Sequence, residues 1–528
     1  MNAATALEET GVIRGCDRIA GEPVTIEGDA LTSHNPAHPD QIVWSGTPSV
    51  SHVDPAVRAA RAALPAWRDS PIEQRIEALR AYQKLVNEHA DAIGELICRE
   101  TGKAQWDAAG EAKILGGKVD ITLAEGPNSG RSRVTGFDVE VSETRAGRCS
   151  FRPHGVMAVI GPFNFPAHLP NGHIVPALLT GNTIVFKPSD KTPAVGQVLA
   201  SLFDEALASV GAPKGVINLV QGAGDVASAL TTHEGVDGVL FTGSWPVGRR
   251  ILEANLDHPG RIVALELGGN NPSIVMDDAD LRQAAIENVR AAFVTTGQRC
   301  TCTRRLIVHE AVADTLIPLI QKTATNLIVG DPKGIGGGSR NQAVFMGPII
   351  RGLARDDVLN GQAALIKAGA TPLIEATAME HPSGGHYITP GLLQVDRFTT
   401  GAEPNDDPGC DKEFFGPLLR VSVVSSLDDA IEQANATRYG LAASVFTKDQ
   451  RAAGRVLREV RAGCVNVNTG TAGASSKLPF GGLGWSGNHR PAGAFSLDYT
   501  AYPVASLLEN GDAAGVLPGM RFDDEWMG

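Results

Sequence analysis

The sequence predicts an α/β protein built on a parallel sheet with helices on both faces. Short apolar runs recur between residues 155 and 243, each closing at a Gly, Pro or polar breaker. Helical-period stretches separate them, the pattern of strand–helix–strand units. The chain has 528 residues, 43% hydrophobic and 20% charged. That balance is globular, and the length exceeds what one core supports, which predicts two or three domains.

The elements follow in chain order. Met1 to Gly11 carries Glu8 and Glu9 and lacks a basic segment followed by an apolar one, so no secretory signal is expected. Residues 52–124 read as helical, with Val57, Ala60, Leu64, Leu79, Leu85, Ile93 and Leu96 recurring among charges. Arg131 to Arg152 alternates around Val139-Glu140-Val141 and reads as an exposed β-ribbon. Strands are expected at 155–161, 182–188, 216–220 and 238–243, with helices through Leu207, over Val226–Leu230 and from Val247. Ligands of such sheets bind beyond the carboxyl ends of the strands. Here those ends are Pro162–Asn164, Lys187–Asp190, Gly222–Asp225 and Gly243–Gly248. A second α/β region spans about 268–480, with strands near 272–276, 305–308, 419–424 and 464–467 and a helix around 280–296. The tail from Gly511 reads as a loose terminus.

Composition excludes several classes. Lys and Arg number 46 against 59 Asp and Glu, a net charge of −13, which argues against general nucleic-acid binding. Gly155 to Phe186 has no Asp, Glu, Lys or Arg, but four prolines and several Asn and His residues interrupt it. A buried, turn-rich segment fits it better than a membrane span. Seven scattered cysteines suggest no disulfide framework, so a cytoplasmic location is expected. Cys300-Thr301-Cys302 is C-x-C with no second pair nearby, so no metal site is expected.

Three motifs carry chemistry. Gly243-Ser244-Trp245-Pro246-Val247-Gly248 joins a strand to a helix and could present amides to a phosphate, or be an ordinary turn. Gly297-Gln298-Arg299-Cys300 offers a thiol beside a cation, which would favour thiolate; the alternative is a small buried hydrophobe. Glu266-Leu267-Gly268-Gly269-Asn270-Asn271 places a carboxylate before two glycines, fit for a general base or for a helix-cap or salt-bridge carboxylate.

Taken together, these segments resemble the aldehyde dehydrogenase superfamily over nearly the whole chain and in its order. Phe163-Asn164-Phe165-Pro166, Lys187-Pro188-Ser189, Phe241-Thr242-Gly243-Ser244, Glu413-Phe414-Phe415-Gly416-Pro417 and Pro479-Phe480-Gly481-Gly482 complete the set. The resemblance implies a Rossmann-type cofactor domain (1–134 and 154–267), an α/β catalytic domain (268–490), a small β oligomerisation ribbon (135–153 and 491–510) and a C-terminal tail (511–528). It implies Cys300 as nucleophile, Glu266 as base and Asn164 as oxyanion donor. NAD would be held by Lys187, Ser189, Asp190, Gly222, Gly224, Gly243, Ser244, Gly248, Glu413 and Phe415.

Two departures stand out. Many relatives that use NAD carry Glu where this chain has Asp190; the shorter acid beside Lys191 leaves NADP open. Pro246 removes a donor from the phosphate turn. Segments 168–173, 267–272, 297–302 and 487–491 are most similar to a subfamily acting on ω-semialdehydes with remote carboxylates. Candidate carboxylate partners are His168, Arg299, Arg304, His489 and Arg490. Alternative readings are a dehydrogenase of another ω-semialdehyde such as succinate semialdehyde, a cysteine esterase or a non-catalytic binding protein. The ribbon and the final strand near 497–507 imply a homodimer or homotetramer, with a small-molecule aldehyde and neither nucleic acid nor membrane as partner.

Overall fold

A computed structural model describes residues 11–25, 28–127, 129–334, 343–400, 409–511 and 515–528. The segment 1–10, read above for targeting, and residues 512–514 of the tail lie outside the described residues. Two seven-stranded sheets dominate.

In the first sheet, strands Ile262–Glu266, Gly238–Thr242, Val156–Ile160, Thr183–Lys187 and Ile217–Leu219 lie side by side and parallel. Asp17–Ile19 and Glu22–Val24 extend it antiparallel. The expected apolar runs form strands because both faces are covered. Met157, Val159, Ile184, Phe186 and Leu240 enter one hydrophobic core. Their neighbours Ala158, Ile160, Val185, Val239 and Phe241 enter another on the opposite face. This period-two sorting is what a doubly covered sheet demands. The chain order reverses at Val156–Ile160, so a crevice opens there at the carboxyl ends.

The second sheet runs Thr371–Ile374, Gly391–Gln394, Leu418–Val424, Thr303–His309, Asn271–Val275, Ala442–Phe446 and Cys464–Val467. All its pairs are parallel except the first. It too divides its side chains between two cores, Leu306 and Val308 on one face and Ile307 on the other.

Helices Val53–Arg68, Ile72–Glu88, Ala90–Thr101, Gln105–Lys113 and Leu115–Leu123 fill the stretch read as helical. The ribbon forms as Phe137–Glu140 and Arg145–Pro153, and Ala501–Glu509 pairs with the latter, starting later than expected because Ser496–Tyr499 is a 3-10 turn. Residues 155–186 hold two strands and the helix His168–Leu179, and no helix among the described residues is long and apolar enough to cross a membrane. Residues 515–528 are exposed, with one 3-10 turn at Asp524–Met527.

The expected helix around 280–296 stops early. It spans Leu281–Phe293, its N-terminus capped by Asp280 accepting from the Gln283 amide. Thr295 and Thr296 then adopt φ of 56° and 55°, followed by Gly297 at 70°. β-branched residues rarely tolerate that region, and each costs about 1–3 kcal/mol. Side-chain bonds hold the turn: Thr295 Oγ1 donates to Asp107 Oδ2 at 2.6 Å, and Thr296 Oγ1 to the Gly347 carbonyl at 2.8 Å.

Candidate active site

Cys300 follows this strained turn and precedes strand Thr303–His309. Asn271, opening the neighbouring strand, fixes it: Nδ2 donates to the Cys300 carbonyl at 2.7 Å and to the Cys302 carbonyl at 2.8 Å. Cys302 is fully buried in the core, whereas Cys300 borders a cavity of about 200 Å³. Glu266, Phe165, His168, Arg299 and Phe480 line the same cavity.

Glu266 ends the first sheet, and the second begins at Asn271, so the two glycines bridge the sheets. Both are required by close approach. A Cβ on Gly268 would fall 2.0 Å from Glu413 Oε2, and one on Gly269 would fall 2.7 Å from the Cys300 carbonyl oxygen. The Gly269 amide donates to Glu413 Oε1 at 3.1 Å. Gly297 meets the same segment from the other side, where a Cβ would lie 2.2 Å from the Gly416 carbonyl. The segments Glu266–Gly269, Gly297–Cys300 and Glu413–Pro417 thus converge on one point.

Glu266 is buried, with Oε1 accepting from the Ala492 amide at 3.3 Å and Oε2 without a hydrogen-bond partner. Burial holds its carboxyl well above the usual range. A buried orphan oxygen beside a thiol suits a base that must capture water. Burial also pushes the Cys300 thiol up, and Glu413 and Glu266 add to the shift. The expected help from Arg299 is not realised, because that guanidinium is paired with Asp107 at 2.6 Å and with Thr295 Oγ1 at 2.7 Å.

Asn164 is buried, its Nδ2 donating to the Gln298 carbonyl at 3.0 Å, two residues before the thiol. Phe163 packs edge-on against Phe415, with centroids 5.9 Å apart. Both rings, Gln298 and Glu413 line a second cavity of about 430 Å³ on the other side of the nucleophile segment. Burial lifts the Glu413 carboxyl to about 7.

Apart from Glu413 and Phe415, the expected cofactor residues lie along the carboxyl edge of the first sheet. Lys187 is buried, with Nζ donating to the Pro188 carbonyl at 2.6 Å, and burial lowers its pKa to about 8. Burial opposes ionisation of Asp190, but Lys191, 3.0 Å away, outweighs it and holds the carboxylate below its usual range. Ser244 precedes helix Trp245–Ala254, whose N-terminus has no side-chain cap. Pro246 falls in the first turn, where its missing amide costs no helix bond. Gly222, Gly243 and Gly248 admit Val226, Phe241 and Leu267 at distances no Cβ would allow, whereas Gly224 faces open space. A sheet edge that carries a helix N-terminus, a buried lysine and the Asp190 carboxylate fits a dinucleotide.

Not all expected substrate residues meet the cavity. His168 and Arg299 line it; Arg304, His489 and Arg490 do not. Arg304 is a correction: it is buried and gives its donors to the Gly416, Gly297 and Arg299 carbonyls, bracing the nucleophile turn. His489 and Arg490 are exposed, also against expectation. Burial lowers His168 to about 4, so it is a neutral donor or acceptor. Sequence reasoning missed Asn270 and Asn271, which the motif itself contained. Asn270 Nδ2 donates to the Gly409 and Lys412 carbonyls, placing Glu413 as Asn271 places Cys300.

Fold and geometry define the class first: a dehydrogenase scaffold in which a thiol and a carboxyl meet between two sheets, beside a sheet edge fit for a dinucleotide. Residues 24–503 match the model of the Aldehyde dehydrogenase family. The N-succinylglutamate 5-semialdehyde dehydrogenase of Novosphingobium aromaticivorans is 41% identical over 493 residues, 93% of this chain and 99% of that one. N-succinylglutamate 5-semialdehyde dehydrogenase 2 of Caulobacter vibrioides is 44% identical over 486 residues, 91% of this chain and 94% of that one. The solved NAD-dependent aldehyde dehydrogenase from Sinorhizobium meliloti superposes with a TM-score of 0.86 at 28% identity, covering 96% of this chain and 97% of that one. The NADP-dependent glyceraldehyde-3-phosphate dehydrogenase from Bacillus halodurans, complexed with NADP, gives 0.81 at 31%, covering 94% and 100%. The chain belongs to the aldehyde dehydrogenase family. It is accordingly an NAD(P)-dependent oxidoreductase acting on an aldehyde.

Proposed function

We propose that the chain oxidises N-succinylglutamate 5-semialdehyde to N-succinylglutamate, a step of arginine catabolism, with NAD or NADP as acceptor. The observation that carries this reading is identity of 41–44% over nine-tenths of the chain to enzymes of that name. Cys300 attacks the aldehyde carbon, and the oxyanion is met by the Asn164 amide and the Cys300 backbone N–H. A bound nicotinamide cofactor would supply the hydride acceptor. Glu266 takes a proton from the water that hydrolyses the Cys300 thioester. Lys187, Ser189, Asp190, the turn Gly243–Gly248, Glu413 and Phe415 would hold the cofactor. Seven free thiols suit a reducing cytoplasm. The sheet formed by the ribbon and the last strand leaves Phe137, Val139 and Leu507 exposed at its edges, which suits pairing into a homodimer or homotetramer. The test is a panel of semialdehydes with NAD and with NADP. The succinylated substrate should give the highest kcat/KM; a higher value for succinate semialdehyde or propanal overturns the assignment.

A further inference from the structure

Two buried or half-buried cations, Lys118 and Arg299, line the Cys300 cavity, and a third, Lys103, sits against the ring of Phe165. Lys103 sits 2.5 Å from Glu111, and Arg299 is paired with Asp107. Lys118, on helix Leu115–Leu123, lines the cavity, is 3% exposed and has no carboxylate among its partners in the described residues. Its Nζ donates to the Gly493 carbonyl and to Ser496 Oγ, both at 2.7 Å. An ammonium has three N–H donors, so one is left for a ligand. The rings whose ionisation it opposes, His168 and His173, are held neutral by burial, at about 4 and about 3. His168 Nδ1 is buried without a hydrogen-bond partner.

A buried ammonium without a counter-ion is expensive, and burial lowers the pKa of Lys118 to about 7. Such a group is stabilised when a ligand brings the missing negative charge. We infer that Lys118 anchors a carboxylate at the remote end of the substrate, with the His168 ring as a neutral hydrogen-bonding neighbour. This rests on the reading of the substrate as a carboxylated aldehyde. It also accounts for an acidic substrate in a cavity whose lining arginine, Arg299, is already paired with Asp107. The sequence hid Lys118 because one lysine in a long helical stretch reads as a solvated face.

The experiment compares Lys118→Met and Lys118→Arg with the unmodified chain, on N-succinylglutamate 5-semialdehyde and on propanal. Lys118→Met should lower kcat/KM for the carboxylated aldehyde about ten- to a hundredfold, mostly through KM, and for propanal about threefold or less. Lys118→Arg should recover part of the loss. Equal losses on both substrates overturn the inference and leave Lys118 as a tie between its helix and residues 493–496. Should Lys118→Met not fold, Lys118→Gln keeps donors for Gly493 and Ser496 and carries the same comparison. Undiminished preference for the carboxylated aldehyde in a folded variant sinks the inference alone. A wild-type protein that favours propanal sinks the proposed substrate with it.

Discussion

Arg299 Nη2 lies 2.6 Å from Asp107 Oδ1, and this pairing takes the cation next to Cys300 out of the thiol's chemistry. Enclosure of Cys300 and the nearby carboxyls Glu413 and Glu266 then leave the thiol above its ordinary range. An acid with a raised pKa is mostly protonated at neutral pH, so the free enzyme should be a sluggish nucleophile. Inactivation by iodoacetamide without cofactor should therefore rise by about tenfold per pH unit from pH 7 and still be rising at about pH 9. A plateau near pH 7 would show that another group activates the thiol in the free enzyme.

The two cysteines of the C-x-C pair should separate cleanly. Cys300→Ala should abolish dehydrogenase turnover. Cys302 is fully buried, its Sγ 3.9 Å from the Val294 carbonyl, and does not line the Cys300 cavity. Cys302→Ala should lower stability by about 1 kcal/mol and keep most of the activity. Steady-state rates and thermal melts of the two variants decide it, and a dead but folded Cys302→Ala would reverse the assignment.

Much of this arrangement was legible beforehand, and the reasons are local. Strands such as Val156–Ile160 announce themselves because both faces are covered and every residue is apolar. Strand His38–Gly46 was missed because it is half-exposed and contains Pro39. The motif glycines pointed to the site because close approach by Glu413 and Cys300 leaves no room for a side chain. What stayed hidden was which cations face the cavity. Arg304, Arg299 and Lys118 look alike in sequence, and only their partners, a carbonyl set, a carboxylate and a pair of neutral oxygens, tell them apart.

Glu266→Gln should give a burst of NADH and then stall, because the amide cannot deprotonate the hydrolytic water while hydride transfer precedes that step. Stability provides a second readout. Burial raises the Glu266 pKa, so the folded protein holds a proton that the unfolded chain releases above about 4.5. Wild-type stability from this group is therefore lost as pH rises above that value. The melting temperature of Glu266→Gln should gain on wild type between about pH 5 and pH 8. A constant difference across that range would mean that Glu266 is charged in the fold.

Gly268→Ala should act on the cofactor through Glu413. The new methyl would sit 2.0 Å from Glu413 Oε2, so the carboxylate must move. Loss of a charged hydrogen bond is worth about 1.5–3 kcal/mol, which predicts a rise of about tenfold or more in the KM for NAD. The aldehyde KM should move much less. Calorimetric NAD binding and paired KM values test this, and an unchanged cofactor affinity would detach Glu413 from that role.

Arg490→Ala should do little, although its segment carries the subfamily resemblance. Arg490 is exposed, lies outside the Cys300 cavity, and donates to the neighbouring His489 carbonyl at 3.5 Å. The segment works through Asn488 instead. Asn488 Oδ1 accepts from the Leu265 amide at 3.0 Å, and its Nδ2 donates to the Val263 carbonyl at 2.7 Å. Gly487 bridges Glu266 in the same register. These bonds add a short edge to the strand that presents the base, so they set where Glu266 sits. Arg490→Ala should change kcat/KM by about threefold or less on carboxylated and uncharged aldehydes alike. Asn488→Ala leaves two backbone groups unpaired, about 1–3 kcal/mol each, and should slow thioester hydrolysis on both substrates. A loss confined to the carboxylated aldehyde in Arg490→Ala would return that arginine to the substrate site.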